Sequence, residues 1–244
     1  GLPMSSLRFA HALPAALITI LSLAAAAEDS HPGWSAWGAT PGGTRYAPVA
    51  GITPENVDRL EVAWTYRTGE LTRRSESMLV NSSAETTPIL AAGSLVTCTP
   101  FGRVIALDPA TGKERWTFDP AIDPDFELPN QYVCRGVAQW HDAAAPADAA
   151  CARRIIYSTV DLRLIAIDAR TGRACTDFGH EGEVAISQPE LQHRGELKLA
   201  SPPTVIRDVV AVGSMILDNV RANAPRGVVY GYDARTGERR WTFD

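Results

Sequence analysis

The sequence predicts an all-β fold: a β-propeller of four-stranded blades with tryptophan-docking repeats. Three observations carry that prediction. One strand–turn–strand template occurs three times, at residues 103–119, 163–178 and 227–244. Runs rich in Val, Ile and Tyr lie upstream of each copy, the composition that fits a pleated, half-buried surface. Nineteen Gly and seventeen Pro demand many turns and point away from a helical bundle.

The template has a local chemistry. Its threonines, Thr111, Thr171 and Thr236, are spaced by 60 and then 65 residues, so each copy is one supersecondary unit. An apolar run ends in Asp108, Asp168 or Asp233, whose carboxylate can accept backbone N–H bonds in a turn. Gly112, Gly172 and Gly237 then supply a positive φ at no steric cost. The next segment carries Trp116, Phe178 or Trp241, an aromatic available for packing between neighbouring sheets. A β-sandwich is the alternative, and the repeated turn disfavours it.

Taken in order, residues 1–27 read as a cleaved signal peptide. Arg8 is the positive start, residues 12–23 are apolar, and four alanines precede Glu28. A membrane anchor is the alternative. The uncharged run 9–27 holds His11 and Pro14, whereas a span needs about 20 strongly apolar residues. Residues 28–244 form one propeller domain. Thr53 and Pro54 suggest a helix start, as N-cap and first helical residue. Residues 60–69, with Trp64 and Tyr66, read as the end of an earlier, partial unit. Further strands are expected at 87–90, 94–99, 154–159, 203–206 and 208–214. The stretches 119–133, 141–150 and 179–200 read as long loops, which on a rigid scaffold commonly carry function. His141, His180 and His193 lie in them and read as solvated. One partial and three fuller units do not close a ring of typically four to eight blades, so the propeller reads as incomplete.

Composition narrows the function. The 23 basic and 28 acidic residues give a net charge of -5, against nucleic-acid binding through a basic face. Hydrophobic residues at 45% and charged residues at 21% support a folded core. An exported chain permits disulfides among Cys98, Cys134, Cys151 and Cys175. No CxxC pair is present, so a zinc site is disfavoured. Three pairings exist, and easier closure of shorter loops leans towards Cys98–Cys134 with Cys151–Cys175.

The template, together with Trp37-Gly-Ala-Thr-Pro-Gly-Gly-Thr-Arg45-Tyr46, Asn56-Val-Asp-Arg-Leu60, Glu85-Thr-Thr-Pro88, Cys134-Arg135-Gly136-Val137, Ser201-Pro202-Pro203 and Asp218-Asn219, resembles the quinoprotein dehydrogenases over roughly residues 34–244. The likeness is to the membrane-bound glucose, quinate and polyol dehydrogenase branch. It implies an eight-bladed propeller when complete, of which this chain covers roughly the first half. It also implies pyrroloquinoline quinone (PQQ) with calcium or magnesium, a periplasmic location and peripheral association with the membrane. A sugar, polyol or cyclic hydroxy acid would be oxidised, with electrons passing to a quinone.

Several roles follow from the resemblance. Glu85 matches a carboxylate near the cofactor, and Arg135 an arginine that pairs with a cofactor carboxylate, a task suited to a guanidinium. Thr159 matches a threonine that hydrogen-bonds the cofactor. Asp218 and Asn219 match a metal pair whose oxygen donors suit a hard divalent ion. Gln131 stands where the family commonly has a substrate-handling His. The family's catalytic Asp is expected beyond residue 244, which would leave this chain inactive alone. No adjacent Cys-Cys pair is present, against the methanol and ethanol dehydrogenase branch. The rival reading is a non-enzymatic propeller scaffold of the bacterial envelope, which shares the blade repeat but not Glu85, Arg135 and Asp218-Asn219 in this order.

Overall fold

The computed structural model describes residues 33–40, 42–123, 126, 131–186, 195–217 and 221–244. All belong to the compact unit His31–Asp244. The targeting segment 1–27 lies outside the described residues. No described helix is long and apolar enough to cross a membrane.

Two short helices, α1 (Glu70–Arg73) and α2 (Glu76–Val80), lead into β1 (Ser82–Ala84). The first blade is β2 (Ile89–Ala91), β3 (Ser94–Cys98), β4 (Val104–Leu107) and β5 (Glu114–Phe118), an antiparallel meander in chain order. β6 (Tyr132–Cys134) returns to pair in parallel with β1. The second blade is β7 (Ala138–His141), β8 (Arg153–Ser158), β9 (Arg163–Asp168) and β10 (Glu183–Ala185). β11 (Leu197–Lys198) precedes β12 (Thr204–Ile206) and β13 (Val209–Val212). β14 (Met215–Ile216) pairs back onto β11. β15 (Val229–Asp233) and β16 (Arg239–Phe243) complete the third blade, ordered β12-β13-β15-β16. Three four-stranded blades in sequence bear out the propeller reading.

The central strands are buried on both faces, which explains their unbroken apolar runs. In the second blade Ile155, Tyr157, Ile165 and Ile167 join Val96, Val104 and Trp116 in one core. Their neighbours Ile156, Leu164 and Ala166 join Val210, Tyr230 and Tyr232 in another. Alternate residues of a strand point to opposite faces, so a single blade feeds both cores.

Docking of Trp on the repeated turn is visible twice. The Trp64 indole donates to the Pro109 carbonyl at 3.1 Å, and Trp116 to Ala169 at 3.2 Å. Each acceptor directly follows the repeat Asp. Gly172 has φ +71, and a Cβ there would meet the Trp116 ring at 2.6 Å, so the turn needs Gly for both its conformation and its partner.

Four expectations are corrected. Residues 60–69 form no ladder among the described residues and attach through side chains, Trp64 to the Pro109 carbonyl and Tyr66 to Glu114. The helix start at Thr53 is a single 3-10 turn, Val57–Arg59. There Asn56 accepts from the Thr53 N–H at 2.8 Å, and that turn takes the place of a helical cap. In the second repeat the segment after Thr171-Gly172 makes one isolated bridge, Ile167 with Ala174, and the outer strand comes instead from β10. Cys175 still donates to the Ala166 carbonyl at 2.9 Å, but the chain then turns, with Phe178 donating back to the Cys175 carbonyl at 2.9 Å, and leaves the rest of β9 to β10. The stretch 179–200, read as a loop, contains β10 and β11. Both disulfides follow the shorter-loop pairing, Cys98–Cys134 and Cys151–Cys175.

Candidate functional site

The β1–β6 ladder builds the centre of the site. Its parallel register is Ser82 with Tyr132, Ser83 with Val133 and Ala84 with Cys134. One step further along the same register stand Glu85 and Arg135. The backbone continues the alignment, with the Thr87 N–H donating to the Arg135 carbonyl at 3.1 Å. The Cys98–Cys134 disulfide ties β6 to the first blade beside that position. The result is an ion pair, Arg135 Nε donating to Glu85 Oε2 at 2.8 Å. The Gln131 side-chain amide donates to the other carboxylate oxygen at 3.3 Å. Three residues singled out by sequence are thus brought together. The Ser83 hydroxyl, followed by the Arg135 guanidinium, holds the Glu85 carboxyl below its ordinary range, so Glu85 is a carboxylate at neutral pH.

Gly136 makes the bend after Arg135. Its φ is +154, and a Cβ there would lie 2.9 Å from Trp37 and 3.1 Å from Pro202. A side chain would therefore displace the segment that carries the guanidinium.

Lys198 is the residue that sequence reasoning missed. It lies on β11, is 3% exposed, and donates from Nζ to the Gln131 carbonyl at 2.9 Å. Burial, and then the Arg135 charge, push its ammonium below the ordinary lysine range. In the sequence it is one Lys among polar and apolar neighbours. Its burial follows from the packing of β11 against β14 and of Ala200 on Arg135, whose N–H it accepts at 3.3 Å.

Topology sets these groups at one end of the blades. In a meander, the approach to the first strand and the turn between the second and third share an end. Glu85 precedes β2, Arg135 precedes β7 and Lys198 precedes β12. Thr159 opens the β8–β9 turn at this same end. The Asp-x-x-Thr-Gly turns lie at the opposite end.

Thr159 is not brought into contact with the Glu85–Arg135 pair. Its hydroxyl bonds Asp161 and accepts from the Arg163 N–H at 3.2 Å. The equivalent β3–β4 turn differs, because the Thr99 hydroxyl is buried without a partner among the described residues. Asp218 and Asn219 lie outside the described residues, and so does His193. His141 and His180 are exposed, as expected. Among the described residues the grouped metal donors are Cys151, Cys175 and Asp177. The disulfide consumes both sulfurs, and Asp177 pairs with Arg154.

The arrangement can bind an anion. Arg135 spends only Nε, and its terminal nitrogens have no partner among the described residues. A planar fork of unspent donors suits a carboxylate.

Comparison with known proteins shows the family. The family described as "PQQ: Glucose/ethanol/alcohol dehydrogenase, beta-propeller domain" matches residues 34–244. The chain is 41% identical over 214 residues to the glycerol dehydrogenase large subunit of Gluconobacter thailandicus, covering 86% of this chain and 28% of that one. It is 37% identical over 224 residues to quinoprotein glucose dehydrogenase A of Acinetobacter calcoaceticus, again covering 86% and 28%. The solved structure of quinohemoprotein alcohol dehydrogenase ADHIIG from Pseudomonas putida HK5 matches with a TM-score of 0.67 at 28% identity, covering 87% of this chain and 26% of that one. The chain therefore spans just over a quarter of the length of the curated relatives it matches.

Proposed function

The chain belongs to the PQQ family of glucose/ethanol/alcohol dehydrogenase β-propeller domains, and on that premise we propose that it serves a PQQ-dependent dehydrogenase acting on a sugar, polyol or cyclic hydroxy acid. One observation carries the reading. The parallel β1–β6 register sets Glu85 and Arg135 side by side, with the guanidinium's terminal donors unspent. That donor set fits PQQ, whose carboxylates need charged hydrogen-bond donors. When bound, PQQ supplies the redox chemistry that oxidises a hydroxyl.

The chain's own part is binding and orientation. Arg135 holds a cofactor carboxylate. Glu85 fixes the guanidinium in place and, through Gln131, the wall beside it. Gln131 offers a neutral amide towards a substrate where an imidazole would offer a proton acceptor, so this position orients rather than titrates. Asp218 and Asn219 hold calcium or magnesium with two oxygen donors, and the cofactor supplies others, which couples metal and cofactor affinity. Export to the periplasm through residues 1–27, and a quinone as electron acceptor, complete the proposal. The envelope-scaffold alternative rests on the blade repeat alone, which the dehydrogenase family shares.

The test is PQQ titration at several calcium and magnesium concentrations. Arg135→Ala should weaken PQQ by about 1.5–3 kcal/mol, the range of a hydrogen bond to a charged group, without changing metal preference. Asp218→Ala should remove the metal dependence, and Asn219→Ala should reduce it less. An Asp218→Ala variant with an unchanged metal requirement would defeat the ligand assignment.

A further inference from the structure

We propose that Lys198 is a second carboxylate-binding cation of this site, acting beside Arg135. The inference rests on the cofactor reading above and adds to it a residue that the family resemblance did not point to.

Charge balance is the argument. Lys198 is 3% exposed, so its charge is removed from water. An ammonium carries three donors. One reaches the Gln131 carbonyl at 2.9 Å, and the other two have no partner among the described residues. The carboxylate that acts on it is Glu85, which is already engaged by Arg135 at 2.8 Å and by Gln131 at 3.3 Å. Glu196, two residues along the chain, is held by both forks of Arg221 at 2.6 and 3.2 Å. Two cations therefore share one carboxylate. A buried charge without a counter-ion is costly, and a ligand that supplies the counter-ion recovers that cost on binding. Burial and the Arg135 charge push the ammonium below its ordinary range, as expected of a cation lacking its anion.

The position suits the task. Lys198 bonds the backbone carbonyl of Gln131, the side chain of the same residue bonds Glu85, and Glu85 accepts from Arg135, so Gln131 and Glu85 lie between the two cations. The ligand chemistry is a carboxylate, and both PQQ and a hydroxy-acid substrate carry one.

The experiment uses the whole chain with Lys198→Met, which keeps the stem, and Lys198→Arg, which keeps the charge. PQQ and quinate affinities are measured by calorimetric titration, with glucose as an uncharged control. The ligand-free melting temperature is measured in parallel. Lys198→Met should melt no lower than the unsubstituted chain and should bind PQQ at least about tenfold more weakly. Lys198→Arg should restore most of the affinity. If quinate affinity falls while PQQ is unchanged, the carboxylate is the substrate's and the cation role stands. If neither affinity falls while Arg135→Ala still weakens PQQ, the inference is overturned and the cofactor reading survives. If the unsubstituted chain takes up no PQQ, the reading and the inference fall together.

Discussion

The Glu85–Arg135 pair is short, yet it contributes little to folding. The side chains are 35% and 40% exposed, and such pairs are worth about 0–1 kcal/mol. The guanidinium is therefore not needed as a structural clamp, and its unspent donors remain for a ligand. The position of Arg135 on the chain is set by backbone, and Gly136 is the sensitive point. Gly136→Ala forces a side chain into a φ of +154 and towards Trp37 and Pro202. We expect a loss of about 1–3 kcal/mol from backbone strain together with weaker PQQ binding, because the bend that carries Arg135 shifts. Gly213→Ala, with no atom within 4 Å of the added Cβ, is the control. Thermal melting and PQQ titration of both variants check this, and equal behaviour of the two would show that the bend does not matter.

At the scale of elements, the blades are joined by two devices. The first blade meets the second through Trp116, which is 8% exposed and bonded to Ala169. The second meets the third without such a Trp, because Cys175 and Phe178 follow its turn. Gly179 donates to the Thr236 carbonyl at 2.8 Å, and Arg154 to the Arg235 carbonyl at 2.6 Å. Arg154 and Arg235 also lie over Trp140, at 5.3 and 5.5 Å from the ring centroid. The Cys151–Cys175 disulfide holds this altered segment in place. A paired Cys151→Ser, Cys175→Ser variant should lose about 3 kcal/mol, and denaturant unfolding measures it. An unchanged midpoint would mean that the arginine–tryptophan packing suffices. Much of this level was legible in the sequence, since the three Asp-x-x-Thr-Gly turns announced the repeat and most strands fell where the apolar runs lie. β10 was not legible, because residues 183–185 carry no strong strand signal and pair only because the chain turns away after Cys175 and leaves that edge of β9 open. Lys198 was hidden for a related reason: burial of a charge is a property of packing, which no local pattern encodes. Glu85 and Arg135 were legible as motifs, while their adjacency required the parallel ladder.

Over the whole molecule, the repeat predicts an acid transition. Asp108, Asp168 and Asp233 each accept N–H bonds from the two residues before the turn glycine, at 2.8–3.1 Å. Asp108 is lowered from 3.8 to about 2, first by Arg115 and then by Thr111. Asp142, which bridges to Arg235 of the third blade, is likewise lowered to about 2, chiefly by that arginine. Burial raises Asp168 and Asp233, but the Cys151 N–H and then the turn bonds at Asp168, and the turn bonds with Arg240 at Asp233, outweigh it, and both end below the ordinary value. Each of these groups has a folded pKa below its unfolded one. In the window between them the unfolded chain binds more protons, so stability must fall as the pH falls. The contribution is complete above about pH 4, declines below the ordinary value of 3.8, and for Asp108 and Asp142 is gone below about 2. Because the same carboxylate recurs in successive blades, the turns should open within one pH interval rather than blade by blade. Tryptophan fluorescence followed from pH 6 to pH 2 should show a single transition beginning near pH 4. Asp108→Asn keeps a side-chain acceptor for the turn but cannot gain a proton, so it should make the profile shallower without shifting the plateau far. A stability that is flat down to pH 2 would mean that the turn hydrogen bonds do not distinguish the folded from the unfolded chain.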